Sequence, residues 1–236
     1  KKTLKNILNR MRKITTDILI KLLQLPRIGR RTAFKIVDNL VDNINSDDEL
    51  FNFLTTPNTK IKLPSFDESQ ITNAITKGKI ILAKHAELGI KCTSYYDEDF
   101  PIYLRNISDP PIIIYSIGNL SKLNDMPSVG IIGTRHPSKL GESAAERYGE
   151  IFAEKTFNVV SGLALGCDVS AHKGCLDKLG FTTAVLAHGL DTVYPKENTE
   201  IAAQIVKSGG VLISEYYVGQ TSRPNYFIER DRIQAA

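Results

Sequence analysis

Residues 128–134 read SVGIIGT, a short apolar run closed by glycine, and the chain after it keeps one alternation to its end. A helix face follows at Ala144, Ala145, Tyr148, Ile151 and Phe152. Then come a second apolar run NVVSG (158–162), a helix DVSAHKGCLDKLG (168–180) and a third run TTAVLAHG (182–189). A helix face at Ile201, Ala202, Ile205 and Val206, a fourth run GVLISEY (210–216) and the start of a last helix FIERDRIQAA (227–236) complete the series. Strands that are apolar throughout and are separated by amphipathic helices belong to a parallel sheet covered on both faces. The pattern predicts four parallel strands near residues 128–134, 157–162, 183–188 and 210–215 in an α/β, Rossmann-like fold.

Working outward, KCTSYYD (91–97) and PIIIYSIGN (111–119) read as two more strands, and Pro101, Pro110 and Pro111 argue against a regular element between them. Ala74, Ile75, Gly78, Ile81 and Leu82 recur at helical spacing. Ile14 to Leu25 is also periodic, Pro26 and Gly29 break it, and Ala33 to Leu40 resumes it. The polar stretch 43–67 reads as a boundary. The expected organisation is a small helical domain over residues 1–70 and an extended Rossmann-like domain over 71–236. The basic start, Lys1 to Lys13, reads as a solvated helix face rather than a signal peptide, since no apolar region or cleavage site follows it. Tyr95, Tyr96 and Tyr115 read as sheet packing.

With 30 Lys and Arg against 26 Asp and Glu, the formal net charge is +4, a mild excess that fits a nucleic-acid partner without requiring one. No apolar run is long enough to cross a bilayer. Cys92, Cys167 and Cys175 are odd in number and lack CxxC spacing, so they read as reduced, buried thiols of a cytosolic protein.

In a parallel α/β sheet ligands bind outside the carboxyl ends of the strands, so the four following loops carry the chemistry. They are GTRHPSKLG, SGLALGCD, HGLDTVYPKEN and EYYVGQTSRPNYFIERDR. Gly133, Gly162 and Gly166 allow close backbone approach, Ser161 adds a hydroxyl, and Asp168 and Asn198 read as helix N-caps. Arg135, Lys196, Arg223, Arg230 and Arg232 supply positive charge. Tyr194, Tyr226 and Phe227 offer rings on which bases can stack. Several cations with glycine turns and aromatics suit a nucleic-acid backbone better than one small nucleotide. A GxGxxG fingerprint after the first strand and a Walker A motif are both absent, so neither a dinucleotide nor any other cofactor is expected. Each feature has a plainer reading: the glycines as helix–strand packing, Arg135 and Lys196 as solvated charge, and Asp168 with His172 as a cap and a packed histidine rather than a metal pair.

Taken together, SVGIIGTR, VVSGLALGCDVSAH, AVLAHGLDTVYPKEN, LISEY and NYFIERDRI, in that order, resemble the bacterial DNA-processing protein A (DprA/Smf) family, as does the upstream YYDEDFPIYLRNISDPPIIIYSIGN. The resemblance covers roughly residues 90–236. It implies an extended Rossmann fold that binds single-stranded DNA, protects it and loads the recombinase RecA during natural transformation and recombination. It further implies a cytoplasmic homodimer with no catalytic residue, no metal and no membrane association. The basic DNA contacts it implies fall on Arg135, Lys196, Arg230 and Arg232; with Gly133, Ser161, Gly162, Asn198 and Phe227 from the loop reading above, these form the expected DNA-binding set. Leu165 stands where the family usually has arginine, Cys167 replaces an isoleucine, and Asp231 replaces the asparagine between the two arginines. The family continues beyond the last helix, so a carboxyl-terminally incomplete sequence is expected.

LLQLPRIGRRTAFKIVDNL (22–40) resembles a helix-hairpin-helix, with Arg27 in place of the first glycine of its turn, while the family resemblance implies a sterile-alpha-motif-like domain in the same place. Two other functions therefore stay open: a duplex binder using that hairpin, and a nucleotide-processing hydrolase of the lysine-decarboxylase-like group, whose PGGxGTxxE signature is missing.

Overall fold

The computed structural model describes residues 13–56 and 63–236; the basic run at 1–12 lies outside them. The amino-terminal layer begins with α1 (Thr16–Leu22), α2 (Arg30–Asn39), α3 (Asp47–Thr55) and α4 (Glu68–Glu87). Ile18, Leu19, Ile20 and Leu22 are fully buried, which makes α1 the centre of this layer. Helix α3 lies inside the stretch that the sequence presented as a polar boundary. Its Ser46–Glu49 capping box fixes its start, Leu50 is buried in the core, and Phe51, Phe53 and Leu54 pack against it half-buried. Asp67 and Gln70 form the matching box for α4.

Six strands form one mixed sheet: β1 (Lys91–Ser94), β2 (Ile113–Gly118), β3 (Ser128–Gly130), β4 (Asn158–Ser161), β5 (Thr182–Leu186) and β6 (Val211–Ser214), in the order β1-β2-β6-β5-β4-β3. The four expected strands are parallel to one another. β2 pairs antiparallel with β6, and β1 pairs antiparallel with β2 at the edge of the sheet. β3 is shorter than the apolar run suggested. It ends at Gly130, only half-buried at the end of the strand order, and Ile132 beyond it is 62% exposed. Pro101 precedes a one-turn helix, α5 (Ile102–Arg105), in the segment whose prolines argued against any element.

Helices α6 (Lys139–Glu154), α7 (Cys167–Asp177) and α8 (Thr199–Lys207) connect the parallel strands, and α9 (Pro224–Gln234) follows β6. The strand side chains alternate between two cores, as a pleated strand requires. Ala184, Leu186 and Leu212 pack with α8 and the amino-terminal helices, and Val159 packs with α6 and α7. Val160, Val185, Val211 and Ile213 pack on the other face with Ile233 of α9. The three connecting helices thus cover one face and α9 the other. A crevice opens above the strand ends where the connections part, the usual ligand position in such sheets.

Tyr95 and Tyr96 pack with Phe34 and Phe100, and Tyr115 lies against His85, so the three tyrosines are packing residues. All three cysteines are free thiols, but only Cys175 is buried; Cys92 and Cys167 are half-exposed.

Candidate nucleic-acid interface

The turn after β4 is the centre of the site, and three buried polar side chains from three helical segments hold it. The Gly162 amide donates to Asp168 Oδ2 at 3.1 Å, and the Gly133 amide donates to Asp168 Oδ1 at 3.4 Å. The Gly162 carbonyl accepts from Arg230 Nη1 at 3.0 Å, and the same nitrogen reaches the Val185 carbonyl at 2.7 Å. The Leu163 carbonyl accepts from Asn198 Nδ2 at 2.8 Å. One residue earlier, the Ser161 hydroxyl donates to the Ile131 carbonyl at 2.6 Å, tying β4 to the loop after β3.

These bonds change the part that several expected DNA contacts play. Ser161, Asn198 and Arg230 are buried and committed to backbone partners; they shape the loops rather than present themselves at the surface. A Cβ at position 162 would overlap the Arg230 guanidinium and displace it from the turn it holds. Asp168 is not an N-cap. Gly166 takes that position with φ 78°, a left-handed conformation that favours glycine, and a side chain there would meet the backbone at Thr134 and Arg135. Asp168 is instead an internal anion occupying the amides that the glycine turns would otherwise offer to a phosphate. Burial pushes its carboxyl up, against the pull of Arg230 and the amides, and burial lowers the Arg230 guanidinium. Asn198 does precede α8, but its side chain caps nothing.

What remains open to solvent is narrower. Arg135 and Lys196 are exposed; Gly133, two residues before Arg135, is exposed as well, and Lys196 directly follows Pro195. Arg135, Gly162, Ala164, Leu165, Tyr194, Pro195 and Phe227 line a crevice of about 50 Å³, so all four loop regions contribute to one rim. The Arg135 guanidinium sits 5.2 Å from the Phe227 ring centre, and the Tyr194 ring lies 6.3 Å from Phe227. Leu165 makes the wall of this crevice apolar.

Two expected rim residues are elsewhere. Arg232 turns to the far side of α9, where its Nη2 is 2.6 Å from Glu215 Oε2 and its Nε 3.7 Å from Asp109. It does not share a site with Arg135. Tyr226 stacks on Tyr216 at 3.9 Å and is not available to a base in the crevice. His172 and His188 are structural: His172 is bonded to Thr182, and His188 to the Gly189 carbonyl, whereas His136 is an exposed loop residue. Burial lowers His172 to about 3, keeping it neutral. Among the described residues, no group of three His, Cys, Asp or Glu side chains is placed to hold a metal ion, and no helix is long and apolar enough to cross a membrane. Sequence reasoning missed Asp168 as the filler of the amide nest; the available signal was an acidic residue directly after a glycine turn, with an arginine on a later helix able to reach the same turn.

A model of the DNA recombination-mediator protein A family matches residues 91–236. Protein Smf of Synechocystis sp. is 36% identical over 157 residues, 65% of this chain and 39% of that protein. DNA processing protein DprA of Bacillus subtilis is 31% identical over 153 residues, 65% of this chain and 51% of that protein. The chain thus spans about half the length, or less, of these relatives. Among solved structures, DNA processing protein A from Streptococcus pneumoniae superposes with a TM-score of 0.61 at 26% identity, over 98% of this chain and 73% of that one. DNA processing protein A from Helicobacter pylori, described for its single-stranded DNA binding mode, gives a TM-score of 0.52 at 30% identity, over 61% of this chain and 63% of that one. With more than half of its length matched in this way, the chain belongs to the DNA recombination-mediator protein A family.

Proposed function

We propose that this chain binds single-stranded DNA across the crevice above the strand ends, chiefly through phosphates, and that in the whole protein this serves to protect incoming DNA and load the recombinase RecA in transformation and recombination. The binding part is residues 71–236, with residues 1–70 as an appended helical unit, and the working form is a homodimer in the cytoplasm. The protein performs no chemistry on the strand.

One observation carries this reading. The amides of the glycine turns are filled by Asp168, while Arg135 and Lys196 stay exposed on the rim. A nucleotide buried at the turn would meet a carboxylate, whereas a strand passing over the rim meets two cations and the edges of Phe227 and Tyr194. Such a surface follows a backbone and is tolerant of sequence. The hairpin reading has less behind it: Pro26, Arg27 and Gly29 of its turn are exposed, but Arg27, with φ 66°, stands where the motif has its first glycine.

Fluorescence anisotropy with a labelled oligonucleotide, competed by unlabelled single strand and by duplex of the same sequence, tests the proposal. Single strand of any sequence should displace the label and duplex should do so poorly. Equal competition by duplex would return the function to the amino-terminal hairpin. Turnover of nucleoside monophosphates to free base would return it to the hydrolase group.

A further inference from the structure

Four charged side chains from four separate parts of the chain meet beside α9. Arg30, the first residue of α2, pairs with Asp109, which precedes β2, and with Glu215 at 3.1 Å, which directly follows β6. Glu215 also pairs with Arg232 of α9 at 2.6 Å, and Arg232 lies 3.7 Å from Asp109. Glu215 is 11% exposed, Arg232 19%, Arg30 23% and Asp109 30%, so these four are largely withdrawn from solvent; Arg31, 83% exposed, also reaches Asp109 at 3.7 Å from outside, which brings a third cation against the two carboxylates.

The surroundings give this cluster its importance. The same stretch of α9 carries Phe227 and Arg230, the ring and the guanidinium that complete the crevice and hold the Gly162 turn. Between the amino-terminal hairpin and α9 lies an open cavity of about 320 Å³, lined by Gln24, Ile28, Arg30, Glu215, Tyr226 and Glu229 among others. Apolar packing therefore does not fill this junction. The amino-terminal helices share their apolar core with the opposite face of the sheet, whereas α9 packs with the other core.

We propose that Arg30, Glu215, Arg232 and Asp109 form a latch through which the amino-terminal helical layer sets the position of α9, and thereby the strength of strand binding at the crevice. These are positioning residues: none lines the crevice, and they act through Phe227 and Arg230. The inference rests on the single-strand reading above. A single partner lost from a partly buried network leaves its counterpart's charge uncompensated, so the effect of each loss is large and not additive with the next.

The sign of the charge change separates a latch from general electrostatics. Glu215→Gln removes a negative charge and, acting only through the field, would tighten DNA binding. The latch requires it to weaken binding by about fivefold, as Arg30→Gln also should. The double variant should be no weaker than either single variant, and Arg30→Lys should restore part of the loss. Without DNA, amide hydrogen exchange across residues 224–234 should quicken in each single variant, while β4 and β5 keep their protection. Asp109→Asn, at the most exposed of the four groups, serves in place of Glu215→Gln if that variant melts below the assay temperature. Tighter binding by the carboxylate variants, additive losses, or unchanged exchange in α9 would each overturn the latch. The exchange measurement needs no DNA, so a wild-type protein that bound no oligonucleotide would sink the interface reading and leave the latch to be decided separately.

Discussion

At the scale of single residues, the turn after β4 is organised around a buried carboxyl group, that of Asp168. Asp168 receives two amides through its two oxygens, and Arg230 and Asn198 take the carbonyls of the same turn. Asp168→Ala would leave both amides without a partner and should cost about 1–3 kcal/mol of stability in urea unfolding. Asp168→Asn removes the buried charge but keeps one acceptor oxygen. The raised carboxyl binds its proton more tightly folded than unfolded, so its contribution is whole below the unfolded value of about 4 and is lost as pH rises through the folded value. The stability of wild type minus that of Asp168→Asn should therefore fall as pH rises through that window; a difference that grew with pH would show a carboxylate stabilised by its partners rather than penalised by burial. None of this was legible in the sequence, which presented Asp168 as a cap and Arg230 as a surface cation. Residue type gives the charge; the direction of the side chain depends on how α9 is rotated over the sheet.

At the scale of elements, the parallel strands β4, β5 and β6 were readable because both of their faces are buried, which leaves runs such as VVS and TTAVL without a charged residue. β3 was overextended because Ile131 and Ile132 look like strand residues but stand past the last paired position. The antiparallel placement of β1 and β2 is a long-range choice that their composition does not encode. α9 shows the limit most clearly. Arg230 and Arg232 are two residues apart, which is about 200° round a helix, so they cannot serve one site. One contact between elements was also unread: Gly149 of α6 faces the Ala171 backbone, and Gly174 of α7 faces the Glu146 backbone, where added Cβ atoms would overlap it. Gly174→Ala should push the helices apart, cost about 1–3 kcal/mol as overpacking does, and weaken DNA binding because α7 begins at the Asp168 turn. A variant with unchanged thermal unfolding would contradict so close a crossing.

At the scale of the molecule, a net charge of +4 is too small to draw DNA by itself, so the placement of a few cations matters more than their number. Of the arginines and lysines that the sequence offered to the site, Arg230 holds a turn, Arg232 belongs to an ion cluster and Arg223 lies 5.7 Å from the Tyr226 ring, outside the crevice lining, which leaves Arg135 in that lining and Lys196 exposed beside Pro195. The central claim is that these two carry the phosphate contacts. The direct test is fluorescence anisotropy in a salt series, with two unrelated oligonucleotides, on wild type and the Arg135→Ala, Lys196→Ala double variant. Each lost contact should lower the slope of log affinity against log salt by about 0.7, the single-strand value, and affinity should fall by a similar factor on both sequences. An unchanged slope and affinity in a correctly folded double variant would contradict the account and move DNA binding away from this rim.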